Sequence, residues 1–128
     1  MGKWLEALVL GIWAIFAPIH AAIIVSGVFI VADMVTGVMA ARKRGEKIDS
    51  SGLRRTVTKF FVYEIALLLA FLGQKYLLSD IFPACKVVSG MIGVVELKSI
   101  FENLNELSGQ DLLKMVLEKL NSVNVSKK

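Results

Sequence analysis

A long apolar segment near the start of the chain constrains the fold more than any other feature. Its 37 positions, residues 5–41, include only three ionisable side chains, those of Glu6, His20 and Asp33. One membrane pass needs about 20 apolar residues, and two passes joined by a turn need about 44. The segment falls between these lengths, and Pro18 interrupts any helix that would run through it. We therefore predict a short first helix over about 4–16 and a full membrane span over about 19–41.

The composition of the whole chain is that of a membrane protein. Hydrophobic residues occupy 55% of the 128 positions and the mean hydropathy is +0.66, whereas soluble domains average about 45–50% apolar residues. The single cysteine, Cys85, excludes an intrachain disulfide. Because the N-terminal segment lacks the short apolar region and small-residue cleavage site of a signal peptide, we expect it to stay in the protein.

The rest of the sequence predicts two further long helices and a tail. Residues 56–78 form the next apolar span, and a turn at Pro83 precedes a helix from Ala84 to about Leu104. Ser108 and Asp111 have the spacing of a helix-capping box before a stripe of leucines and valines. The prediction is an all-α membrane protein with three to four transmembrane helices and a C-terminal amphipathic cytoplasmic helix. We assign residues 1–104 to a transmembrane domain and residues 105–128 to a cytoplasmic tail.

Basic residues are concentrated in one loop. Seven of them lie between positions 42 and 59 with only two acids, which places this loop in the cytoplasm by the positive-inside rule. The same rule makes a nucleic-acid patch the weaker interpretation. The residues predicted to set the topology are Arg42, Lys43, Arg44, Lys47, Arg54, Arg55 and Lys59. If the first segment crosses the membrane, the N-terminus is also cytoplasmic; otherwise it lies outside and the chain has three passes.

Polar residues inside membrane spans are costly, so they are expected to be paired or hidden from lipid. Helical spacing predicts one inner face in each span: Ser26, Ile30, Asp33, Gly37 and Ala40, then Phe60, Glu64, Leu68, Phe71 and Lys75, then Lys86, Gly90, Gly93, Glu96 and Asn103. Thr36, Ser99 and Glu102 complete the polar residues that we place within the membrane or at helix interfaces. Two interpretations stay open: helix packing with Lys86 paired to an acid, or direct lining of a pore.

No pattern in the sequence indicates catalysis. His20 has no second histidine or cysteine at a metal-binding spacing. A nucleophile with its base, a phosphate-binding glycine loop and a carboxylate pair are all missing from the sequence. We expect neither an enzyme nor a bound cofactor or metal.

Two sequence elements, one after the other along the chain, resemble motifs of a known protein family. Asp33-x-x-Thr36-Gly37 is placed at the end of a membrane helix and is followed by the basic loop, and Glu96-x-x-Ser99-Ile100-x-Glu102-Asn103 comes later. Over about residues 20–105 this resembles the small holins of the phage-lysis and toxin-secretion family. Those proteins often have a glycine-rich loop and a lysine pair where this chain has Arg54, Arg55 and a single Lys59.

The resemblance implies a bacteriophage protein that is multi-pass in the host bacterial inner membrane. It would oligomerise and permeabilise that membrane, so that an endolysin is released or activated, or a toxin exported. Its partners would be the lipid bilayer, further copies of itself and, without direct contact, the endolysin; nucleic acid would not be one. Two non-lytic functions remain open, namely a structural or accessory subunit of a membrane complex, and a small ion channel with Asp33 and Glu64 in its path.

Overall fold

The computed structural model describes residues 2–125, which form five α-helices. They are α1 (Lys3–Ile15), α2 (His20–Lys43), α3 (Ser50–Leu72), α4 (Ala84–Ser108) and α5 (Leu112–Val125). A 3-10 turn over Ala17–Ile19 joins α1 to α2, and a π-helical turn over Gly73–Leu77 extends α3. Residues 2–125 contain no strand, so the all-α prediction is confirmed.

Helices α2, α3 and α4 pack side by side into a bundle, in which α2 packs most extensively on α4. The chain turns back after α2 and again after α3, so α2 and α4 are parallel and α3 is antiparallel to both. The core is small: Ile30, Leu67 and Ile92 contribute one buried side chain from each helix. Most of the large apolar side chains lie on the outside of the bundle, as in a protein whose solvent is lipid.

Two helical segments of the described chain are long and apolar enough to cross a membrane, Ala17–Lys43 and Ser50–Leu77. Helix α1 has only 13 residues, a rise of about 20 Å against an apolar bilayer thickness of about 30 Å. Helix α4 has 25 residues but carries more charge than these two. Length and composition thus support two spans, fewer than the three to four predicted.

Helix α3 begins earlier than the sequence predicted, and this corrects the position of several basic residues. It starts at Ser50 rather than at position 56, because the Asp49 carboxylate caps it by accepting a hydrogen bond from the backbone N–H of Ser51 at 2.9 Å. Arg54, Arg55 and Lys59 therefore lie on the helix and not in a loop. The loop itself shortens to the few residues between Lys43 and Ser50.

The inner face of α3 also differs from the predicted one. Its inward residues follow steps of four, and Leu67 and Phe71 are buried while Phe60 and Lys75, which were predicted to face inward, are exposed. Phe71 belongs to both the predicted and the observed face, and the rest of the assignment was displaced by one residue because it was built around the acid Glu64. The inward set is Lys59, Tyr63, Leu67 and Phe71. On α2, Ser26, Ile30 and Ala40 are buried, on the face predicted from spacing.

Helix α4 continues through Ser108, four residues beyond the boundary placed at position 104. It ends at Gly109, whose φ of 70° is left-handed and suits glycine. The predicted capping box does not form, because Ser108 belongs to α4. Asp111 caps α5 by accepting a hydrogen bond from the backbone N–H of Lys114 at 3.0 Å, and Asn105 of α4 accepts one from the backbone N–H of Leu112 at 2.8 Å. The apolar stripe of α5 remains exposed.

The two glycines of α4 have different surroundings, which gives a test of the packing. A Cβ added to Gly93 would lie 3.7 Å from Phe29 Cε2 of α2, whereas one added to Gly90 would meet no atom within 4 Å. We expect Gly93→Leu to lower the free energy of unfolding by about 1–3 kcal/mol, because its larger side chain must displace Phe29. Gly90→Leu is the matched control and should leave stability in detergent nearly unchanged. Equal melting temperatures for the two variants would contradict this packing.

Candidate functional site

A lysine at the centre of the bundle joins all three helices. The Lys59 ammonium of α3 lies 2.7 Å from Asp33 Oδ2 of α2 and 2.8 Å from Glu96 Oε2 of α4. The Tyr63 hydroxyl, one turn along α3, donates a hydrogen bond to the other Glu96 oxygen at 2.7 Å. The Glu96 side chain is 0% exposed. We call Asp33, Lys59, Tyr63 and Glu96 the ion-pair cluster.

The position of Asp33 corrects the prediction that it ends a helix. It lies 13 residues after the first residue of α2 and 10 before the last, because the helix continues through the basic residues that were assigned to a loop. Asn103 of α4 donates to Asp33 Oδ1 at 3.3 Å and to Thr36 Oγ1 at 3.1 Å. A Cβ added to Gly37 would lie 3.5 Å from the Asn103 amide nitrogen. Asp33, Thr36 and Gly37 therefore form one docking point for α4.

The charges of the cluster do not balance. Two carboxylates share one ammonium, which gives one more negative than positive charge when all three groups are ionised. Moving such groups out of water costs several kcal/mol for each ion, and their mutual attraction offsets this cost only when the pairing is complete. Glu96 receives both Lys59 and Tyr63 on its two oxygens. The cluster therefore specifies which helix faces meet, and losing one partner leaves a buried charge.

Glu64 forms a separate polar contact further along α3. Its Oε1 lies 2.7 Å from the Ser26 hydroxyl of α2, while its Oε2 is buried and has no hydrogen-bond partner among residues 2–125. Glu64 also borders an apolar cavity of about 580 Å³ formed with the end of α1, where Trp13 and His20 stack at 4.2 Å. Glu64 is thus not linked to the ion-pair cluster.

Two basic residues at the end of α2 fasten it to the end of α4. Lys43 donates to the backbone carbonyls of Glu106 and Leu107 at 2.7 and 3.1 Å, which satisfies carbonyls in the last turn of that helix. Arg44 binds the carboxylates of Glu106 and Glu46. These hydrogen bonds raise the pKa of Arg44, and the same guanidinium lowers the pKa of Glu46.

A cleft of about 420 Å³ leads from this end of the bundle to the ion-pair cluster. Its walls include Asp33 and Lys59 at the inner end, Arg44 and Lys47 at the outer end, and Ser99 of α4 between them. The walls are largely polar or charged. Water and small ions therefore have a route to the cluster from the side that carries the basic residues.

The structure brings together some of the predicted polar residues and separates others. Asp33, Thr36, Gly37, Glu96 and Asn103 meet, and Ser99 lines the cleft beside them. Lys86 is exposed and makes no ion pair with any described residue, so its predicted pairing with an acid is not seen. Gly90 and Glu102 also face outward.

The sequence analysis missed two members of the cluster. Lys59 was counted as a topology-setting loop residue and Tyr63 was not considered. The available signal was their spacing of four, continued by Leu67 and Phe71, which defines a single helix face. A lysine on such a face, opposite helices that carry Asp33 and Glu96 within their apolar stretches, indicates an internal ion pair.

Removing the lysine should therefore destabilise the bundle strongly. We expect Lys59→Met to cost about 3–5 kcal/mol of unfolding free energy, because it leaves Glu96 buried without its counter-charge. The neutral combination Asp33→Asn, Lys59→Met and Glu96→Gln should recover most of the loss, since no unpaired charge then remains. Thermal unfolding in detergent measures both, with the exposed Arg54→Met as control. A Lys59→Met protein as stable as the control would show that the cluster does not hold the helices together.

The described helices can now be compared with known proteins. A profile of the bacteriophage holin family matches residues 11–124, which include the last five residues of α1 and nearly all of α5. No curated protein and no solved structure matches the chain. The family match covers the whole bundle, the ion-pair cluster and the cleft. With its apolar helices, this shows that the chain belongs to the bacteriophage holin family and is a phage holin-type membrane protein.

Proposed function

We propose that the protein oligomerises in the inner membrane of the host bacterium and permeabilises it, so that an endolysin is released or activated. One observation carries this proposal: a largely apolar outer surface surrounds a bundle in which Asp33, Lys59 and Glu96, from three different helices, form one internal ion-pair cluster. Such a subunit can accumulate harmlessly in lipid while holding the polar groups that a water-filled lesion needs. Family membership supports the same function.

The proposed topology has three passes, formed by α2, α3 and α4. Helix α4 is long enough to cross the bilayer, about 37 Å for its 25 residues. Its composition is less apolar than that of α2 and α3, but one of its charges is hidden inside the bundle. Glu96, which counts against a span by composition, is wholly buried against Lys59 and never meets lipid. Helix α1 is too short for a full pass, has no buried residue and is apolar after Glu6, so we place it within the outer part of the bilayer.

This topology places the basic end of the bundle in the cytoplasm. Lys43, Arg44 and Lys47 lie there with the end of α4 and all of α5, in agreement with the excess of positive charge. The turn after α3 and the start of α4 face outward. The cleft that reaches the ion-pair cluster then opens to the cytoplasm.

In the proposed mechanism, the residues of the ion-pair cluster pass from the interior of the bundle into contact with water. In the resting subunit the charges of Asp33, Lys59 and Glu96 satisfy one another inside the bundle. A lesion replaces these contacts with water, which solvates the same groups without a pairing requirement. Lipid cannot do this, because a bare charge at that depth costs about 2.5–3.5 kcal/mol or more. The change therefore requires several subunits that together enclose water, and it depends on accumulation.

Inducing the chain alone in bacteria tests the function. We expect membrane potential to be stable for a delay and then to collapse abruptly, with release of a co-expressed cytoplasmic muralytic enzyme. Asp33→Asn should shift the time of collapse at equal accumulation, because it removes one of the two carboxylates that share the Lys59 ammonium and so changes the net charge of the cluster. Asp80→Asn, the same change in an exposed outer turn, is the matched control.

Two outcomes would contradict the proposal and favour the other functions. A slow, graded loss of potential without enzyme release would indicate an ion channel. Stable potential and normal growth at high accumulation would indicate an accessory membrane subunit. Identical collapse times for Asp33→Asn and the original chain would remove the cluster from the mechanism.

A further inference from the structure

The outward face of α4 is the one surface of the described bundle that carries both an acid and a base at membrane depth. Its residues are spaced by four, three, four and four positions and lie opposite the buried Glu96. Met91 and Val94 are 65% and 68% exposed, and the Lys98 and Glu102 side chains are 72% and 65% exposed. We call this set the α4 stripe: Val87, Met91, Val94, Lys98 and Glu102.

The depth of the two charges follows from the register of α4 on α2. The helices are parallel; Glu96 shares Lys59 with Asp33, and the Glu106 carbonyl binds Lys43. These two links join residues 63 positions apart, and the contacts of Gly93 with Phe29 and of Asn103 with Thr36 join residues 64 and 67 positions apart. Lys98 then lies between the depths of Val31 and Val35, and Glu102 between those of Val35 and Met39. These three side chains are exposed and apolar.

Among the described residues, no other outward face at this depth carries an acid. On α2 the exposed large side chains between positions 24 and 39 are all aliphatic or methionine. On α3, which is antiparallel to α2 and level with Asp33 at Lys59, the exposed charges at this depth are the cations Arg54 and Arg55, which lipid phosphates can bind. The Lys98–Glu102 contact is itself long, at 3.7 Å, and highly exposed. A pair in that state gains little from its own attraction, yet its exposure to lipid is costly. The stripe therefore needs a polar, complementary cover.

We propose that the α4 stripe of a second copy provides this cover, an inference that rests on the proposed oligomerisation in the membrane. All copies insert in one orientation, so a two-fold axis along the membrane normal brings equal depths of α4 together. Lys98 and Glu102 are one helical turn apart, about 6 Å, a distance that a lysine side chain can bridge. Lys98 of each copy then meets Glu102 of the other, and both pairs are formed by a single contact.

The spacing of the apolar part supports the same partner. Steps of four and three positions, from Val87 through Met91 and Val94 to Lys98, are the spacing with which two parallel helices pack in a coiled coil. The apolar residues of the stripe fill the contact between the two α4 helices towards the outer side of the membrane. The charged residues fix the register of the two helices towards the cytoplasmic side. A lipid headgroup bound by Lys98 alone would leave Glu102 unpaired and would not use this spacing.

Cysteine cross-linking in membranes tests the contact directly. In a Cys85→Ala background, Val94→Cys should form a disulfide-linked dimer under mild oxidation. Val28→Cys, equally exposed on α2, is the matched control for random collision. We expect the dimer yield of Val94→Cys to exceed that of Val28→Cys at least about fivefold. Equal yields would overturn the proposal and leave lipid or another protein as the cover.

Charge exchange tests the pairing. Lys98→Glu or Glu102→Lys should each lower the Val94→Cys dimer yield by about fivefold, because like charges then face one another. The double exchange Lys98→Glu with Glu102→Lys should restore it, since the pairs are re-formed with reversed sign. Failure of the double exchange to restore the yield would overturn the crossed pairing.

Parallel measurement of lysis separates this proposal from the proposed function. Dimer formation by Val94→Cys without any loss of membrane potential would keep the interface and contradict the holin function. Loss of potential with no dimer above the Val28→Cys control would keep the function and overturn the interface.

Discussion

The structure depends on one ammonium group held between two carboxylates from different helices. Lys59 reaches Asp33 of α2 and Glu96 of α4 within 2.8 Å, and no other contact joins all three helices of the bundle through charge. In lipid the apolar faces of helices do not choose their partners, because lipid tails are as apolar as leucine. The polar cluster therefore decides which faces turn inward. The hydrogen bonds of Asn103, Tyr63 and the two basic residues at the end of α2 then set the register along the bundle.

The same arrangement explains how a subunit can be stable in a membrane and still be capable of forming a lesion. The cluster is complete inside one chain, so a single copy exposes almost only apolar surface at membrane depth. The exceptions are the cations Arg54 and Arg55 of α3 and the pair Lys98 and Glu102, which lies on the side of α4 opposite Glu96 and forms a self-complementary surface. In the proposed account the first set of charges keeps a subunit closed, and the second brings subunits together. Assembly places several clusters close to one another, and the cytoplasmic cleft gives water access to each.

Much of the fold follows from the sequence. The helical class, the turn at Pro18 and the inner face of α2 could be predicted from hydropathy and spacing. The start of α3 could not, because Ser50 to Lys59 is polar enough to resemble a loop, and the Asp49 cap becomes visible only with the backbone. Counting Lys59 as a topology signal then hid its role as a core ion pair. Of the acids predicted to be hidden from lipid, Asp33 and Glu96 lie in the cluster and Glu102 is exposed. Sequence spacing within one helix contains no information on which partner helix supplies the counter-charge.

The accessibility of the bundle interior to water tests the central claim most directly. Ile92, one turn before Glu96 on α4, is nearly fully buried beside the cluster. In a Cys85→Ala background, the labelling rate of Ile92→Cys by a water-soluble thiol reagent should be slow in intact membranes before lysis. The account predicts that this rate rises at least about tenfold once the potential collapses, while lipid-facing Val31→Cys stays unlabelled. An unchanged Ile92→Cys rate in fully permeable membranes would show that the cluster stays closed and that the lesion forms elsewhere.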